Sequence, residues 1–327
     1  MSKSLSRPSS MNVTNMISRR CFSTTMQPGL LKALGSTLKN TSPKNFEKKE
    51  VIKPVGQAQK PSSTDGIDTR SFKQRRTDWM NNDNRLKRKE NLEKEFATSG
   101  MYDMFIFRKT GGKVFISPRS YFKKEKSLYF PNFIADENLE KGKNISTYDV
   151  FTNSGANDKF SIVRIFTTAI GQNFTKKYFD INKFSDLSLK NKEASDGAKN
   201  YLQSNETFQQ LKTNYPNLQI VNVTLYDNFF KKWIFKTFAS KAIKKNVSDP
   251  EYLKNFLILN KKYIDVPTKE SINYLNGITG YIYIIDNEGK IRWLSCGDPE
   301  ESDIQTLWKT VQGLQLEVGK KTSTKIF

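Results

Sequence analysis

Apolar positions concentrate in the C-terminal half of the chain. Ser161-Ile-Val-Arg-Ile-Phe166 and Leu218-Gln-Ile-Val-Asn-Val-Thr-Leu225 are β-branched and aromatic runs of strand length, fit for burial. Gly171 marks a loop after the first run, and Thr175 is placed to cap a short helix through Phe179. Ala198, Tyr201, Leu202, Phe208 and Leu211 then recur at helical spacing until Pro216 and Asn217 stop the pattern. Strand, helix and strand over this length predict a parallel pair with a right-handed crossover. Asp227 or Asn228 caps the next helix, which carries Phe229, Phe230, Trp233, Ile234 and Phe238, with Lys241, Lys244 and Lys245 toward its negative dipole end. Ser248-Asp249-Pro250-Glu251 opens another helix, and a short one spans about Thr268 to Leu275 before Gly277. Gly280–Ile285, the turn Asp286-Asn-Glu-Gly289 and the return Lys290–Ser295 predict a hairpin. Asp298-Pro299-Glu300-Glu301 starts a last helix through Leu307, Trp308, Val311 and Leu314.

That order, β-α-β-α, an intervening helix, then β-β-α, predicts an α/β fold of the thioredoxin-like class. The pattern before it is different. Residues 26–70 are rich in Pro, Ser, Gly and Lys and read as a flexible linker. Residues 71–98 set Trp79, Leu86, Leu92 and Phe96 among Lys, Arg and Glu, predicting a long charged helix with a thin apolar stripe, closed by Gly100. Met104–Phe107 and Val114–Ile116 predict two short strands joined across Gly111 and Gly112, the second ended by Pro118. Ser127–Phe133 places four large apolar side chains around Pro131, which argues for an extended segment over a domain face rather than a central strand. The expected organisation is a presequence over 1–22, a linker over 23–70, a charged helix with an aromatic-rich arm over 71–145, the thioredoxin-like domain over 146–316 and a basic tail over 317–327.

Charge adds a compartment to this picture. The opening segment holds Lys3, Arg7, Arg19 and Arg20 with many hydroxyl residues, and the first acid of the chain is Glu47. A basic, acid-free, hydroxyl-rich start has the composition of a mitochondrial transit peptide. Arg20, Phe22 and Ser23 form a plausible matrix processing site. The whole chain carries a formal charge of +21, so anionic partners are favoured, nucleic acid or lipid headgroups among them. No apolar run approaches the roughly 20 residues a spanning helix needs. There is no histidine and there are two cysteines, Cys21 and Cys296. That argues against a zinc cluster and against most histidine-dependent hydrolases. Cleavage near Ser23 leaves Cys296 as the lone thiol.

Three blocks in order resemble one known family. Ser127-Leu-Tyr-Phe-Pro-Asn132 comes first, then Leu218-Gln-Ile-Val-Asn-Val with Lys231-Lys-Trp-Ile234, then Gly280-Tyr-Ile-Tyr-Ile-Ile-Asp286 with Lys290-Ile-Arg-Trp293. Together they resemble the mitochondrial ATPase complex subunit-ten family over about residues 75–316, through Pro131, Asn132, Gly280, Tyr281, Arg292 and Trp293. The resemblance implies a non-enzymatic chaperone of ATP synthase assembly, peripheral on the matrix side of the inner membrane. It implies that the mitochondrially encoded subunit a (subunit six) of the Fo sector is the client, and no metal, cofactor or nucleic acid is implied. Leu294-Ser-Cys-Gly297 departs from the small residues the family tends to place after Arg-Trp.

Candidate contacts for a client, or for anionic inner-membrane lipids, are Leu128, Tyr129, Phe130 and Phe133 in the aromatic segment, and Phe229, Phe230, Trp233, Lys244 and Lys245 in the helix behind Asp227. Core packing is the competing use of the same aromatics. Two other functions compete. The basic charge with interleaved aromatics suits an RNA- or ribosome-associated protein, and Cys296 suits a peroxiredoxin-like enzyme. The redox loop of a thioredoxin-like fold corresponds here to Thr167–Gln172, which has no cysteine.

Overall fold

The computed structural model describes residues 46–66, 70–98, 101–140, 142–152, 159–180 and 200–324. Nine strands occur among them: β1 Lys49–Glu50, β2 Phe115–Ile116, β3 Ile134–Asn138, β4 Lys143–Ser146, β5 Phe160–Phe166, β6 Leu218–Tyr226, β7 Phe256–Asn260, β8 Tyr281–Ile285 and β9 Ile291–Cys296. Seven form one mixed sheet in the order β4-β3-β7-β6-β5-β8-β9. β5, β6 and β7 run parallel, whereas β8 is antiparallel to β5 and β9 to β8. The β9-β8-β5-β6 portion, with helices Ala169–Lys177 and Asn205–Asn214 between β5 and β6 and helix Glu301–Thr324 after β9, is a thioredoxin-like core. β7, β3 and β4 extend it beyond β6.

Both faces of the sheet are covered, as parallel strands require. Phe160, Ile162, Phe166, Ile220, Phe256, Ile282, Ile284 and Trp293 face one cluster, completed by Phe179, Phe208, Leu211, Ile243, Leu307, Trp308 and Val311 from the helices. Val163, Ile165, Val221, Val223, Leu257, Tyr281, Tyr283 and Leu294 face the other, completed by Val51, Ile106, Val114, Phe115, Phe130, Phe133 and Phe151. Most of the second cover is built from the N-terminal third of the described chain, with Ile264, Ile272 and Tyr274 added from the segment before β8.

Residues 46–66 are therefore no free linker. β1 pairs with β2, Gln57 and Tyr129 exchange backbone hydrogen bonds of 2.8 and 2.9 Å, and Gly56 N–H donates to the Ser271 carbonyl at 2.8 Å. Met101–Thr110 is a helix, not the strand predicted for Met104–Phe107. Asp103 in its first turn and Arg108 and Lys109 in its last suit the helix dipole. Gly111 and Gly112, at φ of +65° and +88°, end it where the hairpin turn was expected. The charged segment breaks at Asn81 into helices Phe72–Met80 and Asn82–Thr98. Gly100, its expected stop, and Ala198 lie outside the described residues. β3 and β4 fall within the arm expected over 71–145, and the last helix runs past residue 316 to Thr324.

Local signals explain most other boundaries. Thr168, rather than Thr175, caps the helix after β5 by accepting from Gly171 N–H at 3.0 Å. Ser204 starts the next helix with a capping box, and Asp249 caps Pro250–Lys254. The helix behind Asp227 runs from Phe229 to Asn246 through a π-helical turn at Phe235–Ala239. The predicted hairpin forms with its strands at Tyr281–Ile285 and Ile291–Cys296, each beginning one residue later than expected and the second ending one later, closed by Gly289 at φ +85°.

One seam is tight enough to test. A Cβ on Gly280 would lie 2.2 Å from the Gly171 carbonyl oxygen, and one on Gly171 would lie 2.9 Å from the Thr279 and Gly280 backbone. Gly280→Ala is expected to destabilise the fold by about 1–3 kcal/mol through overpacking, read as a lower midpoint in urea unfolding.

Candidate functional site

In a thioredoxin-like domain, thiol chemistry would sit at the start of the helix after the first central strand, where the dipole stabilises a thiolate. Here Thr167 and Thr168 precede Ala169. Thr168 Oγ1 donates to the Ile278 carbonyl at 2.6 Å while accepting from Gly171 N–H, and Thr167 Oγ1 lies 3.0 Å from the Tyr274 hydroxyl. Gly171 packs directly on the Thr279–Gly280 backbone. The position is thus filled by hydroxyls already engaged and by backbone. It offers no nucleophile.

Cys296 sits elsewhere, at the end of β9, fully buried, with its thiol directed at the Phe115 carbonyl at 3.8 Å. Burial pushes it up to about 12. A thiol so placed stays protonated at physiological pH and is no peroxidatic nucleophile. The buried Lys113–Asp303 ion pair is close enough to act on it, but it does not offset the burial. Arg292 gives no help. Its guanidinium spends itself on Glu317 at 3.0 Å, Asp286 at 3.5 Å and the Phe122 carbonyl at 2.8 Å, over the Tyr121 ring.

The aromatic segment divides. Phe130 and Phe133 are buried, in edge-to-face contact with each other at 5.3 Å, and Phe130 also meets Phe151 and Tyr283. Both were candidate client contacts; here their rings are packed over the sheet. Leu128 and Tyr129 are half-buried, and Lys290 lies over the Tyr129 ring at 5.4 Å. Pro131 is buried too. Asn132 is a pin. Its Nδ2 donates to the carbonyls of Ser62, Ser63 and Asp65, and its Oδ1 accepts from Ser146, Thr147 and Tyr148. Gly280, Tyr281 and Trp293 likewise serve packing. Tyr281 OH donates to the Asn276 carbonyl, and Trp293 Nε1 donates to the Pro118 carbonyl at 2.9 Å. Leu294, Ser295 and Cys296 are all buried, and Gly297 at φ +70° packs against the Gly112 backbone.

The Phe229–Asn246 helix behaves differently. Phe230 is 65% exposed, Trp233 49% and Ile234 40%, and the two rings stack at 6.1 Å and 22°. The side chain of Phe229 lies outside the described residues. Lys232 and Lys236 are drawn to Glu137, whose carboxyl burial alone would raise but whose two lysines hold below its usual range. The far end turns Ser240 and Ile243 inward and leaves Lys241, Lys244 and Lys245 exposed, without an ion pair among the described residues. The surface is a stacked aromatic end followed by a cationic end.

Beside it, at the C-terminal ends of β6 and β7, opens a cleft of about 360 Å³ lined by Asp103, Asp227, Lys261, Lys269, Tyr274 and Asn276, among others. Open α/β sheets bind ligands at such ends. Asp103 is the residue the sequence did not single out. Burial raises its pKa, against a 3.0 Å hydrogen bond from Gly277 N–H and the charges of Lys261 and Lys269.

Thiol labelling separates a buried cysteine from a reactive one. In a Cys21→Ser background, iodoacetamide labelling of native protein is expected to stay slow throughout pH 7 to 10, because the thiol is fully buried and its thiolate is a small minority this far below about 12. Labelling should rise sharply on unfolding, where an ordinary pKa of about 8.5 returns.

Comparisons with known proteins follow the same lines. Residues 36–314 match the ATP10 protein family. The mitochondrial ATPase complex subunit ATP10 of Saccharomyces cerevisiae is 31% identical over 289 residues, covering 86% of this chain and 93% of that relative. The protein of the same name from Candida glabrata is 30% identical over 90% of this chain and 96% of the relative, and that from Eremothecium gossypii 28% identical over 92% and 98%. Among solved structures, the thioredoxin domain of a thiol-disulfide oxidoreductase from Bacteroides vulgatus is similar at a TM-score of 0.31 and 14% identity, over 56% of this chain and 95% of that one. A DsbF homologue from Corynebacterium diphtheriae is similar at 0.33 and 11%, over 59% and 90%. The chain belongs to the ATP10 protein family.

Proposed function

We propose that this protein is a catalytically silent assembly factor for the mitochondrial ATP synthase. In this reading it holds the mitochondrially encoded subunit a of the Fo sector until that subunit meets the rotor ring. Membership of a family whose relatives are named mitochondrial ATPase complex subunits supports the complex as its destination. A single observation supports a holding role: Phe230 and Trp233 stack on the surface beside Ile234, with no core to fill. An exposed apolar patch gives an apolar client segment temporary cover. The protein works on the matrix face of the inner membrane, imported by its basic N-terminal segment. No helix among the described residues is long and apolar enough to cross a membrane, which suits peripheral attachment.

The peroxiredoxin-like alternative loses its support with the burial of Cys296. Deleting the gene is expected to deplete assembled ATP synthase on native gels. The outcome that would sink the proposal is undiminished assembly. A double substitution of Phe230→Asp and Trp233→Asp is expected to cut crosslinking to newly synthesised subunit a at least about fivefold. Stability should hold within about 0.5 kcal/mol, since both side chains are on the surface.

A further inference from the structure

We infer that the helix Phe72–Met80 is a docking element for an anionic phospholipid surface, distinct from the aromatic stack proposed for the client. Among the described residues no packing accounts for this helix, because none of its residues is buried. A nine-residue helix is marginal in water on its own. Here it is held by a capping box between Ser71 and Gln74 and by an Arg70–Asp78 ion pair at 2.8 Å. Phe72, Arg76 and Trp79, spaced i, i+4 and i+7, share one face. Phe72 is 78% exposed, Trp79 70% and Met80 66%, with Leu86 of the following helix at 60%.

Charge selects the partner. From Arg70 to Lys89 there are eight basic side chains against two acidic ones, Asp78 and Asp83. Large apolar groups set among Arg and Lys are the make-up of a helix that lies in the headgroup plane. RNA would use the same cations but gains less from Met80 and Leu86, which do not stack on bases. Trp79 also carries the Arg88 guanidinium over its ring at 5.8 Å, so a cation stands beside the ring that would enter the interface.

The inference rests on the membrane placement proposed above, but its test contains no client, so the two fail separately. Full-length protein is sedimented with phosphatidylcholine vesicles and with vesicles containing about one-third phosphatidylglycerol. Because Lys3, Arg7, Arg19 and Arg20 also attract anionic lipid, a variant with all four replaced by Gln measures their share. Binding to anionic but not neutral vesicles is expected. Lys73→Gln with Arg76→Gln should weaken it on the order of 30-fold, about fivefold per charge. Phe72→Ala with Trp79→Ala should weaken it on the order of tenfold. Circular dichroism checks that these surface variants stay folded. Equal binding to neutral vesicles, or folded arm variants that bind as the parent does, overturns the inference. So does RNA binding in the absence of vesicle binding.

Discussion

Every residue of β5, β8 and β9 is buried, and the sheet has no solvent face at its centre. This constraint organises the rest of the molecule. One face is closed by the helices that any thioredoxin-like domain would supply. The other is closed mainly by the N-terminal segments, with Ile264, Ile272 and Tyr274 from the stretch before β8, and so Val51, Ile106, Phe115, Phe130, Phe133 and Phe151 are drawn across the sheet. Fully burying one such aliphatic or aromatic side chain is worth about 1.5–3 kcal/mol. Residues that look like linker and arm in composition are therefore structural, and Asn132 ties them down by satisfying both ends of its amide against two separate backbone segments.

The same constraint explains what was legible in the sequence. Doubly buried strands read as largely apolar runs with few polar positions, so β5, β6 and the β8–β9 hairpin stood out by pattern alone. β3 did not, because Ile134-Ala-Asp-Glu-Asn138 lies toward the sheet's edge and is mostly polar. β7, at Phe256–Asn260, was hidden because it follows a short helix almost directly. Met104–Phe107 mimicked a strand through its aromatics, although the opposed charges at the ends of its segment and the two glycines beyond are helix signals. For the candidate site, chain pattern cannot separate Phe130 from Phe230: both are aromatics in apolar company. What distinguishes them among the described residues is exposure, 1% for Phe130 and 65% for Phe230.

The centre of the domain carries a buried cation that composition would not suggest. Arg164 on β5 is 2% exposed, and no carboxylate pairs with it among the described residues. Its donors go instead to Thr175 Oγ1, Asn222 Oδ1 and the Gln172 carbonyl. A buried charge is costly unless its hydrogen bonds are met. These partners come from β6 and from the helix after β5, so they fix that helix against the sheet.

That fixation bears on function. The helix after β5 is where a redox relative would need room for a substrate disulfide. Here Arg164 holds its inner side, while Thr168 and the Gly171–Gly280 contact lock its start against the loop before β8. The stability that catalysis would have to loosen is instead spent on rigidity. What stays accessible lies outside the locked core, on helices whose outward faces pair large apolar side chains with cations.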